Sequence, residues 1–447
     1  MLPTLSPLSV ITFVGTPARK SLVFRRDSTI VMVMDWHLLI AGAAIFAQLL
    51  VVYYVYCSYH YVSAKLTGRK ASPYCPRTAL IVPCKGIDAR FTSNIRSFFA
   101  QSYENYYLLF VVEDESDPAY QELMRLKDEL IPKSHALGIQ ILVAGPSASS
   151  GQKIHNLLHA FGHVPADSEV LAFADSDVCV HRDWLSRLVH PLYRSKRGVT
   201  TGYRWFVPTA NNLATLAASA INAAVAQFLG NSPLNLAWGG SMAVRMEDFR
   251  RLRIAEIWSQ TLSDDLSLSR AVRRAGLKIT FVPECLAASF ESFTWRRLYE
   301  FGRRQLLITR IYAPGAWWLG LFGSLGSVLG LWGAAAAAIY GAAVHAEHVV
   351  LYAAVASVFI AGQLTRAVLR QITVAKTLSE HLPQLLPAAI ADVFGCWLWS
   401  LVLFVLMLSS AVGRTIRWRG IRYRLVSPTQ IRVLDGRRPS PVRCSSR

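Results

Sequence analysis

The chain has 447 residues, of which 53% are hydrophobic and 17% charged, and its mean hydropathy is +0.31. This composition excludes an ordinary soluble domain, which is less apolar and carries more charge. The formal net charge of +19 suits either nucleic acid or an anionic membrane surface, and the long apolar runs favour the membrane. We therefore expect no nucleic-acid partner. The seven cysteines form no CxxC pair, which predicts reduced thiols in the cytosol.

The first apolar run, His37–Tyr56, has the roughly 20 residues needed to cross a bilayer. It is longer than the core of a cleaved signal peptide and ends in an aromatic cluster, so it predicts a retained transmembrane anchor within residues 34–60. Met34 stands three residues before this run. We hypothesise that translation starts at Met32 or Met34 and that residues 1–33 are a gene-model extension.

Basic residues set the expected orientation of this anchor. Lys65, Arg69, Lys70 and Arg77 follow it and predict that the domain after it is cytoplasmic. The four basic residues between positions 19 and 26 argue the other way, unless the chain starts later.

Residues 65–290 alternate β-rich apolar runs with polar helical stretches, which predicts an α/β domain with a parallel sheet. Residues 291–312 mix aromatic and basic side chains, which indicates an interfacial amphipathic segment or a buried amphipathic helix. Residues 313–412 predict about three C-terminal transmembrane helices, and residues 413–447 form a basic tail that we expect to be irregular. The three apolar runs are 315–343, about 348–363 and about 388–412.

Acidic residues follow the second predicted strand, YYLLFVV, directly. Glu113, Asp114 and Asp117 lie there, while the first strand, TALIV, runs into Lys85. Ligands of open parallel sheets bind beyond the carboxyl ends of strands, so these side chains are candidates to contact one. A solvated acidic loop is the alternative, because loops are commonly polar.

The next strand, EVLAFA, ends in Asp175 and Asp177. Two carboxylates one residue apart at a strand end can face one divalent cation. Mg²⁺ and Mn²⁺ prefer oxygen ligands and bridge to phosphate oxygens. This pair predicts a metal site that neutralises a departing diphosphate.

Two further motifs follow. Asp264 and Asp265 open an amphipathic helix. Ser263 or Asp264 can cap it, one of the two carboxylates can supply a general base, and both roles are compatible. Trp238, Gly239 and Gly240 form either a wall facing an acceptor or a tight turn.

Taken in order, VVEDESDPA, FADSD, WGGSM, TLSDD and RRQLLITR resemble the motifs of inverting family-2-type glycosyltransferases. The chain is most similar to the ceramide glucosyltransferase group and its bacterial, including hopanoid-associated, relatives, over roughly residues 36–425. The resemblance implies an α/β GT-A (nucleotide-diphospho-sugar transferase) domain with N-terminal and C-terminal transmembrane helices. It also implies a UDP-sugar donor, Mg²⁺ or Mn²⁺, and a membrane lipid acceptor. The expected location is multi-pass in a bacterial inner membrane.

The resemblance also assigns roles to individual residues. It implies that Asp265 is the catalytic base, with Asp264 beside it, and that Asp175 and Asp177 hold the metal. For the two lysines among the donor-binding matches below, the alternative is an ordinary solvated side chain. The residues that match donor-binding positions are Lys85, Glu113, Asp114, Asp117, Lys153, Asn156 and Asp175.

The closing motif of the family departs from its pattern here. Arg304 and Gln305 are present, but Leu307 and Ile308 stand where the family has Arg and Trp. Arg310 is the candidate to supply the missing charge.

The resemblance implies transfer of glucose from UDP-glucose to the hydroxyl of a lipid such as ceramide, by one displacement that inverts the anomeric centre to a β-glycoside. Alternatives are a hopanoid or other lipid acceptor, UDP-GlcNAc or UDP-galactose as donor, and a processive polysaccharide synthase. A non-catalytic membrane scaffold or transporter is an alternative of another class.

Overall fold

The computed structural model describes residues 12–13, 22–23, 35–67 and 74–435. They fall into two compact units. We call the described residues within Met1–Val52 and Gly326–Gln363 the helical unit, and those within Tyr53–Leu325 and Leu364–Arg447 the sheet unit. Apart from two antiparallel strands, β1 (Thr12–Phe13) and β2 (Leu22–Val23), the predicted gene-model extension lies outside the described residues, as do Arg69 and Lys70.

The sheet unit is built on seven strands, namely β3 (Thr78–Pro83), β4 (Tyr106–Val112), β5 (Gly138–Val143), β6 (Val170–Ala174), β7 (Arg197–Pro208), β8 (Ser241–Arg245) and β9 (Lys278–Glu291). Their spatial order is β5–β4–β3–β6–β8–β7–β9. β8 runs antiparallel to both neighbours and the other pairs are parallel. The central strands β3 and β6 are almost wholly buried, which explains why their apolar sequences do not alternate.

Helices cover both faces of this sheet, as predicted for an α/β domain. One core layer lies under α2 (Phe91–Phe99), α3 (Pro118–Leu130) and α5 (Trp184–Val189). The other lies under α4 (Gln152–Phe161), α7 (Met246–Arg251), α8 (Ile254–Trp258) and α9 (Asp264–Arg274). A further helix of the sheet unit is α6 (Leu213–Ala226), which packs on β7.

Three helices among the described residues are long and apolar enough to cross a membrane. They are α1 (Trp36–Leu66), the continuous helix Pro314–Ala343 and α13 (Val349–Thr377). The second consists of α11 (Pro314–Val328), one π-helical turn (Leu329–Gly333) and α12 (Ala334–Ala343). Each exceeds the roughly 20 residues that a span requires. The apolar segments at the two ends of the predicted α/β domain are therefore helical.

The last apolar run is bent. Helices α14 (Leu382–Phe394) and α15 (Cys396–Ser410) meet at Gly395 with an angle of 87° between them, and they make a fourth span only if the bent pair counts as one. The indole Nε1 of Trp399 donates to the carbonyl oxygen of Ala391 at 2.7 Å. A side chain at Gly395 would meet both of these groups, so the bend requires glycine there.

The helical unit contains the first half of α13 and the beginning of α1. Phe359 of α13 lies against Gly330 of the π-helical turn, where an added Cβ would come within 2.3 Å of its ring. Gln48 of α1 donates through Nε2 to the carbonyl oxygen of Phe359 at 3.5 Å. Small residues therefore let these helices approach closely.

The expectation of an irregular tail is wrong over Thr415–Asp435. These residues form a three-stranded antiparallel sheet of β10 (Thr415–Trp418), β11 (Ile421–Ser427) and β12 (Gln430–Asp435). Arg419 and Gly420, both with positive φ, make the two-residue turn between β10 and β11. The sheet packs on Leu307, Ile308 and Tyr312 of α10 (Trp295–Tyr312). This tertiary packing orders the segment, although its basic composition alone does not predict strands.

Helix α10 covers most of the predicted interfacial segment. Leu298, Leu307, Ile308 and Tyr312 are buried in the sheet unit, whereas Trp295 and Tyr299 are about half exposed. One face therefore belongs to the core, as in the alternative of a buried amphipathic helix. The other face leaves aromatic side chains on the surface.

Candidate active site

Four acidic residues gather at one edge of the central sheet. Asp175 and Asp177 follow β6 as predicted, and Asp264 and Asp265 open α9 beside them. Asn94 holds the first loop by donating its Nδ2 to the carbonyl oxygen of Ser176 at 3.2 Å.

Lys153 joins the two acidic pairs. Its Nζ lies 2.8 Å from Asp175 Oδ1 and 3.1 Å from Asp264 Oδ2. This position follows from contact between two loops, because the amide of Gly151 donates to Thr261 O at 2.9 Å and an added Cβ at Gly151 would meet Leu262. The predicted donor-side lysine is therefore a bridge between the metal motif and the helix that carries the predicted base.

The pKa values of this buried pair follow their surroundings. Burial raises the pKa of Asp264 to about 6; Lys153 opposes the shift, and the charges of Asp265 and Asp175 add to it. Burial alone would lower the pKa of Lys153, but the three carboxylates outweigh it and the pKa lies above its usual value. Lys153 thus stays charged throughout the physiological range.

Asp177 is buried, and nearby cations compensate its charge only in part. Its Oδ1 is buried and has no hydrogen-bond partner among the residues that the structure describes. Burial and the charge of Asp175 raise the pKa of Asp177 to about 6, while Arg204 and Arg419 oppose the shift. An unpartnered carboxylate oxygen beside a second carboxylate fits a hard divalent cation such as Mg²⁺ or Mn²⁺.

Asp265 is held in a fixed orientation. Its Oδ2 accepts from the amide of Gly239 at 3.1 Å, and its Oδ1 accepts from Ser263 Oγ at 2.6 Å and from the amide of Leu266 at 2.7 Å. Ser263 also caps α9 through the Leu266 amide. Capping and presentation of the carboxylate thus coexist, as the sequence allows.

The Trp238–Gly240 segment approaches the acids with its backbone. A Cβ at Gly239 would lie 2.4 Å from Asp264 Oδ2 and 2.8 Å from Lys153 Nζ, and a Cβ at Gly240 would strike the Trp238 ring. Both positions therefore require glycine.

The remaining residues that were predicted to bind the donor form ion pairs or hydrogen bonds with other residues of the chain. Lys85 Nζ pairs with Glu113 Oε2 at 2.6 Å, and Asp114 Oδ1 accepts from the amide of Ser116. Asp117 caps α3 and accepts from the amide of Gly86 at 2.8 Å. Asn156 is buried and accepts from Gln152 Nε2, so it supports the loop before α4.

The structure separates the residues of the closing motif. Arg304 lies over the rings of Phe301 and Trp418, at 5.4 and 6.0 Å from their centroids. Burial lowers the pKa of Arg304 to about 10, together with the charges of Arg204 and Arg419. Gln305 lies on the same helix and accepts through its backbone from Thr309. Arg310 instead donates to the carbonyl oxygen of Gly413, which anchors the chain before β10.

Sequence reasoning missed two cations beside Asp177. Arg204 of β7 lies over the rings of Phe206, Phe301 and Trp238, at 5.0 to 5.7 Å from their centroids. Arg419, at the tip of the β10–β11 turn, donates to the carbonyl oxygen of Lys85 at 3.3 Å. The Arg-Gly pair at 419–420 signals a turn, but nothing local says where that turn packs.

The model of glycosyl transferase family 21 matches residues 43–431. The chain belongs to this family. Ceramide glucosyltransferase 1 of Caenorhabditis elegans is 25% identical over 167 residues, and ceramide glucosyltransferase of Komagataella phaffii is 29% identical over 168 residues. Each alignment covers 35% of this chain, and 35% and 31% of the respective relative, so the chain matches about a third of their length.

A solved structure of the mannosyltransferase PcManGT from Pyrobaculum calidifontis, in complex with GDP-Man and Mn²⁺, is also similar. It is 14% identical, with a TM-score of 0.42, over 83% of this chain and 97% of that one. Family membership confirms the resemblance to ceramide glucosyltransferase-like enzymes. The structure itself confirms the predicted α/β domain with apolar helices at both ends.

Proposed function

We propose that this family 21 chain is a membrane glycosyltransferase that transfers a sugar to the hydroxyl of a lipid, with inversion. Glucose from UDP-glucose and a ceramide-type acceptor are the proposed substrates, since both curated relatives bear the name ceramide glucosyltransferase. The observation that carries the proposal is the cluster at the sheet edge, where Lys153 joins Asp175 to Asp264 and the buried Asp177 lies beside Asp175.

Asp175 and Asp177 are proposed to hold Mg²⁺ or Mn²⁺. The unpartnered Oδ1 of Asp177 supports this assignment. When bound, the ion supplies positive charge that stabilises the departing nucleotide diphosphate.

Asp265 is proposed to take the proton from the lipid hydroxyl. The hydroxyl oxygen forms a bond to the anomeric carbon as the bond from that carbon to the diphosphate oxygen breaks, so the anomeric centre inverts. The amide of Gly239 and the hydroxyl of Ser263 keep the carboxylate of Asp265 in place for this transfer. Asp264 is a positioning residue, because it is buried and holds Lys153.

Arg204, Arg419 and Lys153 are proposed to favour the anionic diphosphate. Arg204 and Arg419 both act on the charge of Asp177, and Lys153 contacts Asp175 directly. Guanidinium groups bind phosphate oxygens with paired donors, and this suits a leaving group that gains charge.

The acceptor is proposed to arrive from the bilayer along α10. Exposed Trp295 and Tyr299 alternate there with Arg296, which suits an anionic membrane interface. We place this edge on the cytoplasmic side because Lys65 and Arg77 flank the first apolar helix.

The test is transfer by the full chain in lipid nanodiscs, with UDP-glucose and ceramide as substrates. Asp265→Asn removes the base while preserving shape. We expect transfer to fall at least 100-fold while UDP-glucose binding changes less than about threefold, because the base acts only in the transition state. The matched control is Asp128→Asn on the exposed face of α3, which should leave both values unchanged. Full turnover by Asp265→Asn would remove this residue from the base role.

Mass spectrometry of the product separates the alternatives. A single β-linked glycolipid supports the proposal, and parallel reactions with UDP-GlcNAc, UDP-galactose and a hydroxylated hopanoid identify a different substrate pair. A polymer indicates a processive synthase. Absence of any product from every pair supports a scaffold or transporter.

A further inference from the structure

A second group of possible metal ligands lies in the helical unit, apart from the acids of the sheet edge. Asp35 precedes α1, His37 is in its first turn, and His348 directly precedes α13. One ligand atom from each of these residues lies within 4.8 Å of the others, and all three side chains are partly buried. Residues more than 300 positions apart in the sequence thus converge at the starts of two helices.

Local hydrogen bonds orient each candidate ligand. The Nδ1 of His37 lies 2.6 Å from the hydroxyl of Tyr352, which leaves Nε2 for another partner. Asp35 accepts the amide of His37 at one oxygen, and its other oxygen lies 3.4 Å from His348 Nε2. The two imidazole rings are 4.4 Å apart between centroids.

We infer that Asp35, His37 and His348 bind a divalent transition-metal ion of the zinc type. Two imidazole nitrogens and one carboxylate oxygen suit Zn²⁺ or Co²⁺, whereas the oxygen ligands Asp175 and Asp177 suit Mg²⁺ or Mn²⁺. Three protein ligands leave the fourth tetrahedral position to water.

The distances are compatible with such an ion. Metal–ligand bonds of about 2.0–2.1 Å place tetrahedral ligand atoms about 3.4 Å from one another. Asp35 and His348 already have this separation. Because all three ligand atoms lie within 4.8 Å of one another, no pair has to close by more than roughly 1.4 Å, which rotation of partly exposed side chains provides.

Tyr352 serves as the outer partner of His37. Ligand histidines usually bond through their second ring nitrogen to another group, which fixes the tautomer and the ring orientation. Tyr352 lies one turn into α13, after His348, so both the ligand and its support belong to the same helix start. The ion would therefore connect the beginning of α1 to the beginning of α13.

The test uses the full chain in detergent, with Asp175→Asn and Asp177→Asn introduced to remove the proposed ions of the sheet edge. Co²⁺ is the spectroscopic probe and Zn²⁺ the competitor. We expect one equivalent of Co²⁺ with the intense visible absorption of a tetrahedral site, displaced by Zn²⁺. Zinc should also raise the thermal unfolding temperature, because it binds only the folded chain.

His348→Ala should abolish the absorption and weaken Zn²⁺ binding by at least about 100-fold. Tyr352→Phe keeps the ring but removes the hydroxyl, and should weaken binding about 10- to 100-fold. The matched control is His345→Asn in the same loop; asparagine tolerates the positive φ of that residue, and binding should not change.

Absence of the absorption in the parent protein would overturn the inference, as would its persistence in His348→Ala. Equal losses in His348→Ala and His345→Asn would overturn it too, since they would indicate a general effect on the loop. If His348→Ala does not fold, Tyr352→Phe decides the question: weaker Zn²⁺ binding supports the inference, and unchanged binding overturns it.

Discussion

Two groups of buried charges in the sheet unit differ in how completely they are compensated. Between the apolar helices α13 and α14, the fully buried Asp392 accepts from Arg370 Nε at 2.6 Å, from Arg370 Nη2, and from Gln371 Nε2 at 2.7 Å. At the sheet edge, Lys153 contacts Asp175 and Asp264 and lies near Asp265, and Asp177 keeps an oxygen without a partner in the described part of the chain.

The difference separates a structural ion pair from a binding site. A buried pair with all its oxygens bonded has no remaining demand for a ligand, although it is destabilising to break. Excess negative charge at the sheet edge is unfavourable until a cation arrives. Charged residues inside apolar segments can mark transport sites, and Asp392 is such a residue. Its bonds to Arg370 explain the buried charge as a structural ion pair instead. Arg366, one turn earlier, is partly buried, and its buried Nε has no hydrogen-bond partner in the described part of the chain.

The largest effect is expected from breaking the ion pair. Arg370→Ala leaves Asp392 charged and buried, so the free energy of unfolding should fall by about 3–5 kcal/mol. Thermal and denaturant unfolding in detergent measure this loss. The matched variant is the double change Arg370→Leu with Asp392→Leu, which removes both charges and should recover most of the stability. A double variant as unstable as the single one would contradict the structural reading of the pair.

At the sheet edge, the opposite pattern is expected. Asp177→Asn removes an uncompensated charge, so the metal-free chain should unfold at the same or a higher temperature. Transfer should nevertheless fall about 10²- to 10³-fold, the usual loss when one electrostatic stabiliser of a transition state is removed. Glycolipid formation and thermal unfolding are measured on the same preparation. If Asp177→Asn lowered stability and retained transfer, Asp177 would be a structural residue and not part of a binding site.

The smallest effect concerns pH. The pKa of Asp264 is raised to about 6, so between the usual carboxyl pKa of about 4 and pH 6 the folded chain binds a proton that the unfolded chain has lost. Stability therefore falls as pH rises through this window, by on the order of 2 kcal/mol, and is level above it. The slope should be clearly smaller in Asp264→Asn, measured by denaturant unfolding from pH 4 to 8; part of it should persist, because the pKa of Asp177 is also raised to about 6. Equal slopes in both proteins would place the titration elsewhere.

Local patterns predicted the part of the site that depends on strand ends. Asp175, Asp177 and Asp265 could be found because acids directly after apolar strands, or at the start of an amphipathic helix, reach one edge of a parallel sheet. Asp117 could also have been read as a helix cap, since proline follows it at the first helical position.

Long-range packing determined what the sequence left hidden. Arg419 approaches Lys85 only because the three-stranded sheet packs on α10, and no local signal encodes that contact. Helix α13 continues to Thr377, well beyond the predicted apolar run ending near residue 363. Arg366 and Arg370 interrupt the hydropathy there, and only the fold shows that Arg370 has a buried acidic partner.

The contact of Arg419 with Lys85 bears on the order in which the site assembles during synthesis. The two residues are 334 positions apart, and all the apolar helices after the α/β domain lie between them in sequence. At about 5–20 residues per second, the ribosome needs roughly 15–70 s to cover that distance. During synthesis, the edge of the sheet therefore lacks its contact with Arg419 until these helices have been made. A newly made chain therefore has Arg419 beside the sheet edge only after all of these apolar helices have been translated.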